Sequence, residues 1–217
     1  METIYKTFLK YLNDEEKEKC VNYILDLLKE NSLDIVTLYQ KILTPAMYDF
    51  FCESKTKNIC IWKEHVRSSI VRTIIECTYL FVQKERKEKY NMIINKKIAV
   101  VCPVEEYHEL GAIMVSNYFD LLGYAVTYVG GNTPKSEFKN IFNVLNFNYI
   151  AFSITDPYNL VQTKKTIDII KESDEKIKIL VGGYAFLNNK DLFPKIGADY
   201  LLQSFEDILK FREGDSI

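Results

Sequence analysis

"KIAVVCPVEEYHELGAIMVSNYFDLLGYAVTYVG", from Lys97 to Gly130, decides the fold. "KIAVVCP" is a short apolar run that ends in proline and reads as a buried strand. "ELGAIMVSNYFDLLG" follows with apolar residues at helical spacing. "AVTYVG" then reads as a second strand. A strand, a helix and a strand in succession place the two strands parallel. The alternation continues through strands "YIAFSIT", "IKILVGG" and "DYLLQS". Between them lie "PKSEFKNIFNVLN", "YNLVQTKKTIDIIKES" and "NKDLFPKIG", and "FEDILKFREG" closes the chain. Five strands with helices between them predict a five-stranded parallel, doubly wound sheet of the flavodoxin-like type. Ligands of such sheets bind outside the carboxyl ends of the strands, at the switch point of the strand order.

Upstream of this half the rhythm is different. The first 90 residues contain no glycine and one proline, Pro45. "TIYKTFLKYLN" puts Ile4, Phe8 and Leu12 on one stripe, and the next segment groups Cys20, Tyr23, Ile24, Leu27 and Leu28. A third helix, "DIVTLYQKILTPAMYDFFCES", is expected to kink or break at Pro45. "NICIWKEHVRSSIVRTIIECTYLFVQKERKEKY" predicts one long fourth helix, with Asn58 as its cap. The expected organisation is a four-helix bundle over 1–90, the linker "YNMIINK", and the doubly wound domain over 96–217.

The bulk numbers exclude several classes. The 217 residues carry 28 Lys and Arg against 30 Asp and Glu, a net charge of −2, so long-range attraction to nucleic acid or to an anionic membrane is not expected. No apolar stretch is long enough to span a membrane, and no signal peptide opens the chain. The five cysteines include no Cys-x-x-Cys pair, which points to buried thiols in a reducing cytoplasm. Neither histidine has a Ser or Cys partner at a spacing that argues catalysis, so a sensor or a carrier is expected before an enzyme.

Candidate functional residues sit just after each strand. The second strand is followed by Gly130, Gly131, Thr133 and Pro134 in "GGNTP". The third carries Ser153 and Thr155, and the fourth Gly182 and Gly183. Glycine lets a bulky ligand approach the backbone, and hydroxyls bond its polar groups. After the first strand comes His108, one of two histidines, with Glu106 two residues before it. A carboxylate beside an imidazole fixes its tautomer and strengthens it as a metal ligand. One loop histidine suits a metal that arrives inside a cofactor and lacks only an axial ligand; zinc would need several protein ligands. A flavin mononucleotide is the other ligand weighed, but its phosphate loop would be rich in Ser, Thr and Gly where this chain reads "CPVEEYHELG".

Glu106, His108 and Gly111 together resemble the cobalamin-binding signature Asp/Glu-x-His-x-x-Gly, with Ser153, Thr155, Gly182 and Gly183 matching its later elements. The resemblance spans both halves, since the family places a four-helix cap before the doubly wound domain. It implies base-off cobalamin with His108 as the lower axial cobalt ligand and Glu106 as its partner. The displaced nucleotide tail would run along Ser153, Thr155, Gly182 and Gly183, and Gly111 would let its helix lie close to the cofactor.

Corrinoid methyl carriers usually read Gly-Asp-x-His-Asp-Ile-Gly, whereas this chain reads His-Glu-Leu-Gly with no glycine before Glu106. It is more similar to the light-sensing cobalamin-dependent regulators, which also carry a loop like "GGNTP". There a helix over the upper face of the corrin bears Glu-His, matched by Glu64 and His65. The family's tryptophan position corresponds to Ser54, while Trp62 lies two residues before Glu64. That departure leaves methyl-, hydroxo- and adenosylcobalamin all open, with His65 a candidate ligand above the cobalt and Trp62 a core residue or a pocket wall. The regulators' DNA-binding domain is not matched, so output is expected through a protein partner or homo-oligomer rather than direct nucleic-acid binding. The expectation is a cobalamin-binding sensory module, with a corrinoid carrier of a methyltransferase system as the alternative.

Overall fold

The computed structural model describes residues 1–50, 57–91, 93–138 and 145–215. The chain divides into two compact units, Met1–Lys89 and Tyr90–Ile217.

In the first unit, α1 (Glu2–Asn13) and α2 (Lys17–Lys29) bury the stripes expected of them, with Phe8, Leu12, Cys20, Ile24 and Leu28 in the core. The third helix is composite: α3 (Ile35–Thr37), a π-helical stretch (Leu38–Leu43) and α4 (Thr44–Tyr48). Pro45 has no N–H for the preceding turn and its ring crowds the carbonyl four residues back. A kink or break was expected there; the wider π turns precede Pro45, and the helical chain runs on through it into α4.

The long fourth helix divides. α5 (Lys57–Cys77) ends at Thr78, α6 (Tyr79–Glu85) follows, and Arg86–Tyr90 is π-helical. Thr78 is fully buried, and its hydroxyl donates to the Ile75 carbonyl at 2.9 Å. Asn58 lies inside α5 and does not precede it. These helices pack as a bundle. Buried Glu85 accepts the Ile35 N–H at 3.0 Å and so ties α6 to the start of α3.

The second unit is a five-stranded parallel sheet in the order β2-β1-β3-β4-β5. Its strands are β1 (Lys97–Pro103), β2 (Ala125–Thr133), β3 (Tyr149–Ser153), β4 (Lys178–Gly182) and β5 (Tyr200–Leu201). β1, β3 and β4 are buried on both faces, as interior parallel strands are, while β2 alternates as an edge strand does. The helices are α7 (Leu110–Leu121), α8 (Leu160–Ser173), α9 (Leu192–Lys195) and α10 (Phe205–Asp215).

On one face Ala99, Val101, Ile150, Phe152, Ile179 and Val181 pack against Ile167 and Ile170 of α8. On the other an aromatic cluster joins α7, the sheet and α10. Phe119 meets Tyr124 at 5.4 Å, and Phe211 meets Tyr149 at 5.1 Å and Tyr200 at 5.0 Å. The strand order reverses between β1 and β3, so the crevice expected of a doubly wound sheet opens at their carboxyl ends.

The predicted helix "PKSEFKNIFNVLN" is described only as a 3-10 turn, Lys135–Glu137; residues 139–144 lie outside the described residues. β5 is shorter than "DYLLQS" suggested. The cysteines meet the expectation of buried thiols in part. Cys20 and Cys102 are buried thiols, Cys77 is an exposed thiol, and Cys60 is disulfide-bonded. Among the described residues no helix is long and apolar enough to cross a membrane.

Candidate functional site

β1 ends at Pro103 and the chain turns sharply. Glu106 N–H donates to the Pro103 carbonyl at 3.0 Å, and Glu105 takes a left-handed φ of 67°. The turn drives the Glu106 side chain into the crevice between β1 and β3, where it is fully buried. Its Oε2 accepts the Thr155 N–H at 2.9 Å, the Asp156 N–H at 3.0 Å and the Asn159 side-chain amide at 3.2 Å. Its Oε1 accepts the His108 backbone N–H at 3.1 Å and lies 2.5 Å from His108 Nδ1.

Burial pushes the Glu106 pKa up, but the N–H groups of Asp156, His108 and Thr155 outweigh it and hold the carboxyl below its ordinary range. An ionised carboxylate only accepts, so the proton of the His108–Glu106 bond belongs to Nδ1. In the neutral form of a ring protonated there, the lone pair lies on Nε2. The His108 side chain is 63% exposed. A buried, fully bonded carboxylate therefore presents an accessible imidazole with one defined donor nitrogen. Among the described residues no group of three or more His, Cys, Asp or Glu could hold a metal ion. One imidazole suits a metal that already carries its other ligands.

The small residues of the later loops converge on the same rim. A Cβ at Gly111, near the start of α7, would meet Ser153 Oγ at 3.9 Å, so these two face one another. Gly182 and Gly183 lie beside Ser153–Thr155, because Ile154 N–H donates to the Gly182 carbonyl at 2.9 Å. Both glycines have a further reason. A Cβ on Gly182 would sit 2.3 Å from the Leu202 carbonyl oxygen, and one on Gly183 2.3 Å from the Ile154 carbonyl oxygen. Gly130 and Thr133 belong to the end of β2, where the Thr133 hydroxyl donates to the Gly130 carbonyl at 3.3 Å.

Sequence reasoning missed Asn159, Glu109 and Asn132. Asn159 is buried, and its amide reaches both Glu106 and the Glu105 carbonyl, at 3.4 Å. A buried polar residue just after a strand-end loop is a signal, but its partner lies 53 residues away.

The remaining predicted residues lie in the helical unit. Trp62 is 71% exposed and so is not core. With His65, Glu15, Lys17, Val66 and Ser69 it lines a groove of about 310 Å³. Glu64 is exposed on α5, and Ser54 lies outside the described residues.

The B12 binding domain model matches residues 96–210, more than half of the chain. The chain belongs to the B12-binding domain family. Its cofactor is cobalamin, and the site fits that group: one accessible imidazole of fixed tautomer, and small residues along the adjacent crevice. Dimethylamine corrinoid protein 1 of Methanosarcina mazei is 30% identical over 124 residues, which are 54% of this chain and 56% of that protein. The chain thus aligns with little more than half the length of this relative.

Solved structures share the fold. The monomethylamine corrinoid protein of Methanosarcina barkeri matches with a TM-score of 0.76 at 14% identity, covering 98% of this chain and 99% of that one. A cobalamin-binding protein of Desulfitobacterium hafniense matches at 0.51, with 14% identity over 96% of this chain and 97% of that one. The methanol:cobalamin methyltransferase complex MtaBC of Methanosarcina barkeri matches at 0.52, with 16% identity over 98% of this chain and 79% of that one. The curated relative and the first of these structures are named as corrinoid proteins, the second structure as a cobalamin-binding protein and the third as a methyltransferase complex.

Proposed function

We propose that this chain is a corrinoid carrier that holds cobalamin base-off through His108 and works with a methyltransferase partner. The reading rests above all on the Glu106–His108 pair, in which the carboxylate accepts a hydrogen bond from Nδ1–H and leaves Nε2 to serve as lower axial ligand. Ser153, Thr155, Gly182 and Gly183 line the course of the displaced nucleotide tail, and Gly111 leaves room beside it. Residues 96–217 form the cofactor domain and 1–90 the helical cap. When bound, the cobalt offers a position that can take up and release a methyl group. The protein's part is to hold the imidazole proton on Nδ1, orient the ring and seat the tail. The names of the Methanosarcina relatives favour the carrier over the regulator expected from the signature context.

A cobalamin-dependent sensor is the second reading. It uses the same lower ligand and is favoured by Glu64 and His65 on α5 and by "GGNTP".

The test mixes purified protein in the dark with methyl-, adenosyl- and hydroxocobalamin, removes free cofactor and records visible spectra of the wild type and His108→Ala. A bound fraction with a histidine-ligated spectrum that His108→Ala lacks is expected. Retention of no cobalamin overturns the reading. With the bound cobalamin first reduced to cobalt(I) by titanium(III) citrate, its methylation by methanol or a methylamine in the presence of the corresponding methyltransferase, with release of water or the demethylated amine, is the carrier result. Retention of adenosylcobalamin with a light-dependent change of spectrum and no transfer is the sensor result.

A further inference from the structure

The end of β2 is built in an unusual way beside His108. Val100 of β1 faces Tyr128, but Val101 faces Gly130 and Pro103 faces Thr133, so β2 gains two residues on its partner. Bulges of this kind collect beside functional sites, where they re-aim the chain. Two positive φ angles accompany them, 110° at Gly130 and 49° at Asn132.

The bulged segment bonds both flanks of His108. Asn132 N–H donates to the Glu106 carbonyl at 2.9 Å, and Asn132 Oδ1 accepts the Glu105 N–H at 2.9 Å. On the other flank Glu109 Oε1 accepts the Gly131 N–H at 2.6 Å. Gly131 has no room for a side chain, because a Cβ there would lie 2.5 Å from Glu109 Oε1 and 2.9 Å from Glu109 Cγ. An imidazole on an exposed loop has little packing to hold its direction. A metal ligand must nonetheless be held within about 0.5 Å and 10–20° of its working geometry.

We propose that the bulged end of β2 is a clasp, in which Glu109 and Asn132 are positioning residues that aim the His108 imidazole at the cobalt. The proposal rests on His108 being the lower axial ligand. Glu106 fixes the proton of the ring; the clasp fixes the two backbone flanks from which the ring hangs.

The test compares Glu109→Ala, Glu109→Gln, Asn132→Gly and Gly131→Ala, the last also in the Glu109→Ala background. Asn132→Gly keeps the left-handed backbone and removes only the acceptor for Glu105 N–H. Glu109→Gln keeps a carbonyl for Gly131 N–H. Three quantities are read: the melting temperature of the cofactor-free protein, the hydroxocobalamin dissociation constant with its histidine-ligated fraction, and the NMR signal of His108 Nδ1–H without cofactor.

Glu109→Ala and Asn132→Gly should bind about tenfold more weakly, as loss of a group supporting a metal ligand does, and with a smaller histidine-ligated fraction. Their melting temperatures should match the wild type. Glu109→Gln should recover most of the affinity. Gly131→Ala should do harm alone and add nothing to Glu109→Ala, since the atom it strikes is then gone. Wild-type ligation in Glu109→Ala, or full additivity of Gly131→Ala, overturns the clasp. Loss of affinity that only follows a fall in melting temperature overturns it too.

If His108→Ala binds like the wild type, the axial-ligand reading fails instead. The cofactor-free NMR signal then judges the clasp: a sharp wild-type Nδ1–H broadened in Glu109→Ala supports it, and an unchanged signal refutes it.

Discussion

Glu106→Gln keeps the shape of the buried side chain and changes only what it can accept. Three N–H donors converge on Oε2 and two on Oε1. A glutamine has one carbonyl, and the side with three donors takes it. Its NH2 then meets the His108 backbone N–H and Nδ1. Two consequences follow. The His108 N–H loses its acceptor, which costs about 1–3 kcal/mol of stability. The weakening of the other bonds to a neutral acceptor is offset in large part by no longer burying a charge. The second consequence is functional. Facing an amide donor, Nδ1 must accept, so the imidazole proton moves to Nε2, and the lone pair offered to the metal is lost. The expected loss of cobalamin affinity is about 10- to 100-fold, roughly 1.4–2.7 kcal/mol. Urea unfolding of the cofactor-free protein measures the first quantity. Titration with hydroxocobalamin followed by visible absorption measures the second, and nitrogen NMR of His108 reports the tautomer. Retention of wild-type affinity and spectrum by Glu106→Gln, or a proton still on Nδ1, would refute the reasoning.

Three further outcomes are expected. Gly111→Ala meets nothing closer than Ser153 Oγ at 3.9 Å, so it should stabilise the cofactor-free protein by about 0.5 kcal/mol through helix propensity and yet weaken cobalamin binding; urea midpoints and the same titration check both halves, and unchanged binding would show that the crevice at Gly111 is not used. Gly183→Ala places a Cβ 2.3 Å from the Ile154 carbonyl oxygen at a φ of 105°, so it should cost about 3 kcal/mol or more; a midpoint within error of the wild type would overturn the close approach. Glu106, Asp34 and Asp199 all have folded pKa values below their ordinary range, so the stability they supply is present above that range and is lost as pH falls through the lower folded values. Urea midpoints should therefore fall below about pH 5, and a rise there would contradict the assignment.

The sheet was legible because its interior strands are buried on both faces and leave continuous apolar runs such as "KIAVVCP". β5 was overestimated because only two of its residues, Tyr200 and Leu201, pair with β4. The break at Thr78 was not legible. "ECTYLFVQ" has helical spacing throughout, and what ends α5 there is the tertiary burial of one hydroxyl. Glu106 and His108 could be read because the carboxylate and the imidazole it supports are near neighbours in sequence. Asn159, Asn132 and Glu109 act across long separations, and their residue types are ordinary in loops. Gly182 and Gly183 were read as room for a ligand, and the structure adds that the chain's own carbonyls require them.

The convergence on Glu106 also sets when the site can exist. Thr155, Asp156 and Asn159 lie 49, 50 and 53 residues further along the chain than the carboxylate they bind. No local segment holds His108 in its working tautomer, however well β1 and α7 form by themselves. During synthesis a chain that has not yet emerged as far as Thr155 carries the histidine without the donors that hold its carboxylate. Contacts of such separation close late, after the loop entropy has been overcome. If His108 is the cobalt ligand, competence to bind is a late event in folding: the site matures only when β1 and β3 have paired, and chains that end before Thr155 are expected to retain no cobalamin.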